Sequence, residues 1–432
     1  MTSPEFKGDT KPVAEGLVWR ASAALAATVA LTPFSAPAQV SAAPPVAPGE
    51  RAQEVDLIAD LIYSSNVAGG GATVAAERGI KPSDVIFEPR VHLDIARPIG
   101  RETVYVVGDV GYDFYARNRI LNRENIDIMP GVLGQIGRCQ VGVSGEYSRA
   151  QRDLAELAVA PPGLSVRPDE KNTLQIEEIG GEAACVKSTG IGPSVTVSET
   201  ATQNSAPLER FTDAQTLSTS GGVTYQRPVL GSVRLFGGFS QTDYPDRGAL
   251  AGVPGVGVFS KLQTVSAGAT YTRAVGSRLQ GSVSLSYTDL AVEGSNLAGF
   301  KGLTYSAALT YLVSSRLTTT VQIVRATTPS NRLNSAYAID QTYSGQATYR
   351  LGSRLSLTAG GSYLQDNFNG VSSPIAFDLT EEKILTVFGT ATFKLARRFS
   401  FDLNIQHLQR TANFAGFGYG DTRLGLTARA TF

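Results

Sequence analysis

Cysteine, histidine, methionine and tryptophan are nearly missing from this chain: two, two, two and one in 432 residues. So few Cys and His exclude a zinc or thiol-redox framework, and no metal or cofactor is expected. An excess of either charge is absent too, since 38 Lys+Arg face 38 Asp+Glu. That balance gives no global basic footprint for a nucleic-acid partner. Long apolar runs are lacking as well. Past residue 40 no stretch approaches ~18 uninterrupted apolar residues, which excludes a bundle of membrane-spanning helices. Charged residues make up 18 %, below the ~25 % of soluble domains. Yet 42 % of the chain is hydrophobic, too much for general disorder. What is abundant is glycine, 45 residues, together with Ser, Thr and Tyr. Such a composition points to β structure.

The N-terminal segment has the layout of an export signal. Lys7, Lys11 and Arg20 precede the apolar core Ala21–Leu31, and Ala36-Pro37-Ala38 supplies the small residues of a cleavage site. Residues 1–38 are expected to be a signal peptide cleaved after Ala38, with Ala43 as the second choice. A retained membrane anchor is the alternative, for which the apolar run is short. The Ala/Pro-rich stretch 39–54 is expected to be a disordered lead-in, and residues 55–432 a single barrel domain.

From residue 55 onward, apolar and polar residues alternate with period two, which describes strands with one greasy and one wet face. In Leu279–Tyr287 the residues Leu279, Gly281, Val283, Leu285 and Tyr287 share one face, while Gln280, Ser282, Ser284 and Ser286 share the other. The pattern returns at 303–313, 355–363, 385–393 and 399–405. Connections alternate as well. Short turns such as Gly137-Arg138, Val275-Gly276-Ser277 and Gly352-Ser353 are separated by long loops such as Asp153–Asn172, Tyr244–Gly257 and Asn367–Asp378. Short periplasmic turns and long extracellular loops are the pattern of an antiparallel transmembrane β-barrel. A soluble sandwich would carry a bulkier apolar face on shorter strands.

The last strand puts Leu424, Leu426, Ala428, Ala430 and Phe432 on one face and ends in that Phe. It resembles the C-terminal recognition strand of bacterial outer-membrane barrels. The resemblance implies an outer-membrane location in a Gram-negative bacterium, contact with its lipid, and assembly machinery that reads Phe432. Eight short turns and the terminal strand account for seventeen strands. An even count with both ends periplasmic then recruits Val55–Val67 as the first of eighteen. Sixteen is the competitor, because alternation is weak over 173–187 and 192–206.

The stretch 97–157 is less generic. Its Pro98-Ile99-Gly100-Arg101 turn, Tyr112-Asp113-Phe114-Tyr115, Asn118, Leu121-Asn122-Arg123-Glu124 and the strand around Gly131, with Tyr63-Ser64-Ser65-Asn66-Val67 upstream, resemble the β-barrel porin family found in exopolysaccharide loci of α-proteobacteria such as sphingomonads. The resemblance implies a pore or scaffold in export or assembly of an acidic polysaccharide, with periplasmic export components as partners. It assigns no functional residue. A general diffusion porin is the alternative, and an adhesive surface protein a third reading.

Strand parity singles out Arg101, Arg234, Arg278, Arg316, Arg354 and Arg398, with Arg350, Lys394 and Arg429 close by, on the polar face beside short turns. Such a collar would line one mouth of the lumen, and rings of cationic side chains favour anions. Neutralising Arg278, Arg316, Arg354 and Arg398 together should then weaken anion preference. The same residues could instead contact lipid headgroups, pair with lumenal acids such as Asp402, or end strands. Cys139 and Cys185 begin and end neighbouring antiparallel strands at the same rim, where an oxidising periplasm would allow a disulfide; two unpaired thiols are the alternative. Tyr271, Tyr287, Tyr311, Tyr349, Phe393, Phe399 and Phe432 share the lipid-facing parity as an interfacial girdle. A glycan-stacking track would place aromatics on the polar parity, where Phe236 and Phe388 are candidates. His92 lies on the polar face with Arg90 and Asp94, and His407 on the greasy one. No nucleophile turn, zinc spacing or phosphate loop surrounds them, so catalysis is not expected. Acids such as Asp153, Glu156, Asp169, Asp243, Asp246, Asp289, Glu293, Asp378, Glu381 and Glu382 gather toward the long loops, opposite the arginines.

Overall fold

Period-two alternation becomes eighteen strands in a computed structural model of the chain, joined in one sheet. The structure describes residues 49, 51–151, 171–185, 189–250, 259–294, 297–330, 332, 335–370, 379–413 and 417–432. The expected signal peptide therefore lies outside the described residues. So do residues 39–48 and 50 of the lead-in, and Asp153, Glu156, Asp169 and Asp378.

The strands follow chain order. β1 (Ala52–Ser64), β2 (Asp84–Ile99), β3 (Glu102–Tyr115), β4 (Arg123–Ile136), β5 (Cys139–Gln151) and β6 (Thr173–Ala184) form the first third. β7 (Gly190–Asn204), β8 (Ala214–Arg227), β9 (Gly231–Asp243), β10 (Lys261–Val275), β11 (Leu279–Glu293), β12 (Phe300–Leu312) and β13 (Leu317–Pro329) continue it. β14 (Tyr337–Leu351), β15 (Leu355–Asn369), β16 (Glu381–Lys394), β17 (Phe399–Ala412) and β18 (Tyr419–Thr431) complete the ring. Each strand pairs antiparallel with the next, and β1 pairs with β18 from Asp56↔Thr431 to Ser64↔Arg423. The sheet therefore has no free edge, the condition for strands in hydrocarbon, where an unpaired amide finds no water.

Two expectations need correction. β1 begins at Ala52 and ends at Ser64, three residues before the expected Val55–Val67 at each end. Ala52, Gln53 and Glu54 pair with Ala96, Ile95 and Asp94, so this end of the lead-in is ladder, not coil. The sixteen-strand count also falls, because the weakly alternating segments are β6 and β7, paired over Leu174↔Asn204 to Ala184↔Ser194.

Alternating connections place both ends of the barrel at the short-turn rim. Ala52 lies near the β2–β3 turn, and the Phe432 amide donates to Val55 O at 3.0 Å. Turn chemistry explains this rim: Gly137, between β4 and β5, sits at φ 62°, a left-handed conformation that costs Gly little. Ladders are interrupted on β2 and β4 at Pro89 and Pro130, which cannot donate. Among the described residues there is one short α-helix, α1 (Ala72–Glu77), in the β1–β2 connection, and three single 3-10 turns at Arg119–Leu121, Glu209–Thr212 and Arg247–Leu250.

Candidate functional site: the lumen wall

Exposure separates the two faces of every strand. Leu57, Val143, Ile179, Leu235, Leu285, Leu303, Leu403 and Leu426 are exposed on the outward parity, the surface that hydrocarbon would cover. The expected girdle, Tyr271, Tyr287, Tyr311, Tyr349, Phe393, Phe399 and Phe432, is exposed on the same parity. The opposite parity makes the wall of the lumen, and two arcs of it, β1–β6 and β7–β13, differ in chemistry.

From β7 to β13 the inward side chains are dominated by Ser and Thr, which bond to one another across strands. Thr196 and Ser220 lie 2.8 Å apart, Thr216 and Thr242 3.0 Å, Ser218 and Ser240 3.1 Å, Thr270 and Ser284 2.9 Å, and Ser286 and Thr304 2.7 Å. Hydroxyls both donate and accept, so each pair satisfies itself and still offers lone pairs to water. Arg234 is the one fixed cation on the inward parity of these strands, stacked 5.9 Å from the Phe236 ring. Phe388, the second of the two candidate rings, lies over Gly360 on β15. Two rings so far apart make no stacking track.

From β1 to β6 the wall is charged. Arg90 Nη2 is 2.8 Å from Asp60 Oδ2 and Nη1 is 4.0 Å from Asp109 Oδ1, while His92 Nδ1 meets Asp109 Oδ2 at 3.2 Å. Asp60, 1 % exposed, also accepts from Thr427 across the closing seam. Asp56, equally buried, has Arg429 Nη1 at 3.6 Å from Oδ2. Asn125 donates to Glu88 at 3.3 Å. At the long-loop end of the seam, Asp421 accepts from Ser64 (2.9 Å), Ser65 (3.2 Å) and the Asn66 amide (2.9 Å), and pairs with Arg423 (2.7 Å). Tyr105 lies across Gly131 on the neighbouring strand, where any Cβ would meet its ring. The acids at β1–β4 and the tie through Arg90 were not foreseen, although His92, Arg90 and Asp94 had been placed together. Counting parity along each strand would have found them.

Long connections pack over the β9–β17 part of the opposite mouth. Tyr244, Phe259, Leu262, Leu290, Phe300, Ala336 and Tyr337 form one apolar cluster. Arg247, fully buried there, stacks 4.0 Å from the Phe259 ring and donates to Arg332 O (2.6 Å) and Ser335 O (3.0 Å). Burial pushes the Tyr244 hydroxyl up to about 12 and the Arg247 guanidinium down to about 10. Beside it Arg332 lies over Phe368 (4.8 Å) and Phe417 (5.2 Å) and holds Glu382 at 3.0 Å, with Arg410 on the same carboxylate. Long-range pairs between loops carry no sequence period, so nothing in the sequence announced them.

The collar residues fall into three settings. Arg101, Arg278, Arg316, Arg354 and Arg398 sit exposed on the short turns, without an ion-pair partner among the described residues. The backbone carbonyls of four of them hold the next hairpin: Arg278 O accepts from Leu312 N (2.7 Å), Arg316 O from Arg350 N (2.8 Å), Arg354 O from Lys394 N (2.8 Å) and Arg398 O from Thr431 N (2.9 Å). Arg350 and Lys394 are exposed strand ends, whereas Arg234 and Arg429 lie deeper on the inward parity. The sulfurs of Cys139 and Cys185 are joined in a disulfide contact. His407 faces outward and bonds Thr422 at 2.9 Å. Asp243, Asp289 and Glu381 stand at the long-loop ends of their strands, paired with Lys261, Lys301 and Lys383. The opposition of arginine and acid by height is therefore partial, because Asp109, Asp127 and Glu146 lie in mid-strand.

A family described as "Putative beta-barrel porin 2" matches residues 260–432, the part from β10 to β18. Among solved structures, the chain is similar to the outer membrane protein opdK of Pseudomonas aeruginosa (10 % identity, 88 % of this chain and 99 % of that one, TM-score 0.45). It is also similar to a BenF-like porin of Pseudomonas fluorescens Pf-5 (11 %, 88 % and 98 %, 0.46) and to OccK2 (OpdF) of P. aeruginosa in complex with glucuronate (9 %, 88 % and 98 %, 0.47). At such identities and scores the likeness adds nothing to the ring read from strand pairing. No curated protein matches the chain. What fold and wall define is a porin-like closed barrel.

Proposed function

We propose that this protein is an outer-membrane pore through which small polar solutes diffuse. The observation that carries this reading is a closed ring of eighteen strands whose inward face is lined by hydroxyls and charges and whose outward face is apolar. A barrel of this size encloses a lumen rather than a packed core, and the family match over β10–β18 supports the same reading. Export by residues 1–38 and assembly through Phe432 belong to it. Purified barrel reconstituted in planar bilayers should show stepwise conductance, and liposomes containing it should admit glucose. Bilayers that stay silent and liposomes that stay closed would refute the pore.

Exopolysaccharide export is the second reading, favoured by the motifs within 55–157 and by the hydroxyl wall of β7–β13, which suits a hydroxyl-rich glycan. The basic short-turn collar would then meet an acidic chain arriving from the periplasm. Deleting the gene should remove surface polysaccharide and leave nutrient uptake normal. Unaltered polysaccharide would overturn export without touching the pore.

A further inference from the structure

The acids of the β1–β6 wall are arranged in a way that structure alone does not require. Asp109 and Asp127 are direct cross-strand partners on the inward face, and so are Glu146 and Glu178. Like charges directly opposite one another destabilise a sheet. Glu146 also stands within electrostatic range of both Asp127 and Glu178, so the row is continuous over β3–β6. Asp127 and Glu146 have no ion pair among the described residues, and the fixed cations on the inward parity of these six strands are Arg90 and Arg123. Arg90 is taken up by Asp60, and Arg123 donates to Leu121 O and Thr173. A second observation points the same way. Asp56 is 1 % exposed, yet its Oδ1 has no hydrogen-bond partner. Its other oxygen faces Arg429 of β18 at 3.6 Å, and the residue lies opposite His92, beside the Asp109 end of the row. On the inward parity of its strands the adjoining β7–β13 wall supplies no acid and only Arg234 as a base.

We infer that the pore prefers cations, and that its favoured solutes are hydroxylated molecules bearing an ammonium group. The carboxylate row would attract the ammonium while the hydroxyl wall replaces the water around the rest of the solute. Charged groups in a confined lumen focus their field on whatever passes, and rings of acidic side chains select cations. The exposed collar is a mouth feature; the row lies where the solute crosses. This inference rests on the pore reading above and names its solutes.

The test is a reversal potential in a KCl gradient, combined with liposome uptake of glucosamine, glucose and glucuronate, which are sugars of similar size and different charge. Wild type should be cation-selective and admit glucosamine fastest and glucuronate slowest, with several-fold separation. The triple variant Asp127→Asn, Glu146→Gln, Glu178→Gln should lose most of that preference while glucose uptake stays unchanged. It removes repulsion, so it should refold at least as well as wild type, which gel mobility before and after heating will verify. Anion preference in wild type, or a triple variant as selective as wild type, would overturn the inference and leave the pore standing. Absence of any conductance or uptake would remove the pore reading itself, and the inference with it.

Discussion

The adjoining β1–β6 and β7–β13 walls line one lumen with the same backbone pairing and different inward chemistry. On the hydroxyl side, neighbours satisfy each other pairwise, as Thr216 and Thr242 do at 3.0 Å. Over β1–β6 a few residues are tied into a network of buried Asp60 with Arg90 and Asp109, while the Asp127–Glu146–Glu178 row stays unneutralised. The difference teaches where the fold gets its specification. Ladder bonds and the outward apolar face are common to both walls, so neither needs its inward side chains to close the ring. The inward parity is therefore free to vary in chemistry, and the charged side accepts a repulsive cost that the hydroxyl side avoids.

Breaking the charged wall at its tie should have the largest effect. Arg90→Met removes the partner of a carboxylate that is almost fully buried, and stranding a buried charge costs about 3–5 kcal/mol. The expected result is a lower urea midpoint for the barrel refolded in detergent; an unchanged midpoint would mean that water reaches Asp60. Next comes the Cys139–Cys185 link, which closes a separation of 46 residues around the β5–β6 hairpin. Cys139→Ser with Cys185→Ser should cost ~2–4 kcal/mol through the unfolded chain, read from the same midpoint without reductant. Two free thiols in unreduced, denatured wild type would show that the link does not form in the cell.

The hydroxyl wall should respond less, and asymmetrically. Thr216→Val alone leaves the buried Thr242 hydroxyl without its partner, a loss of about 1 kcal/mol. Thr216→Val with Thr242→Val removes both polar groups and should be nearly neutral. A double variant less stable than the single one would indicate that these hydroxyls bind ordered water.

How much of this was legible depends on period. Strands such as β11 and β17 could be read directly, because apolar residues mark every second position. β6 and β7 were harder: Glu177 and Glu199 occupy outward positions toward the long-loop end and break the greasy stripe. They form strands all the same, since a closed ring must pair every amide in hydrocarbon. The collar parity was readable beside each short turn. The acid row was not recognised, although Asp109, Asp127, Glu146 and Glu178 all fall on the inward parity, because its members are single residues on four strands and become neighbours only through register. Arg247 on the Arg332 and Ser335 carbonyls and Arg332 on Phe417 join distant loops, and no local pattern encodes such contacts.

The finest test transplants one wall's chemistry into the other. Ser218 and Ser240 are inward cross-strand partners on β8 and β9, 3.1 Å apart through their hydroxyls. Ser218→Asp with Ser240→Asp would recreate there the like-charge pairing of Asp109 with Asp127. Direct opposition should cost only about 0.2–1 kcal/mol, because water in the lumen screens the pair and the ladder beneath is unchanged. The stability change should thus be the smallest of the series, while the reversal potential moves further toward cations. If selectivity stays fixed although both carboxylates are present, permeating ions keep to the β1–β6 side and the two walls act separately. A move toward cations would mean instead that one shared field fills the lumen, with the natural asymmetry setting only its strength.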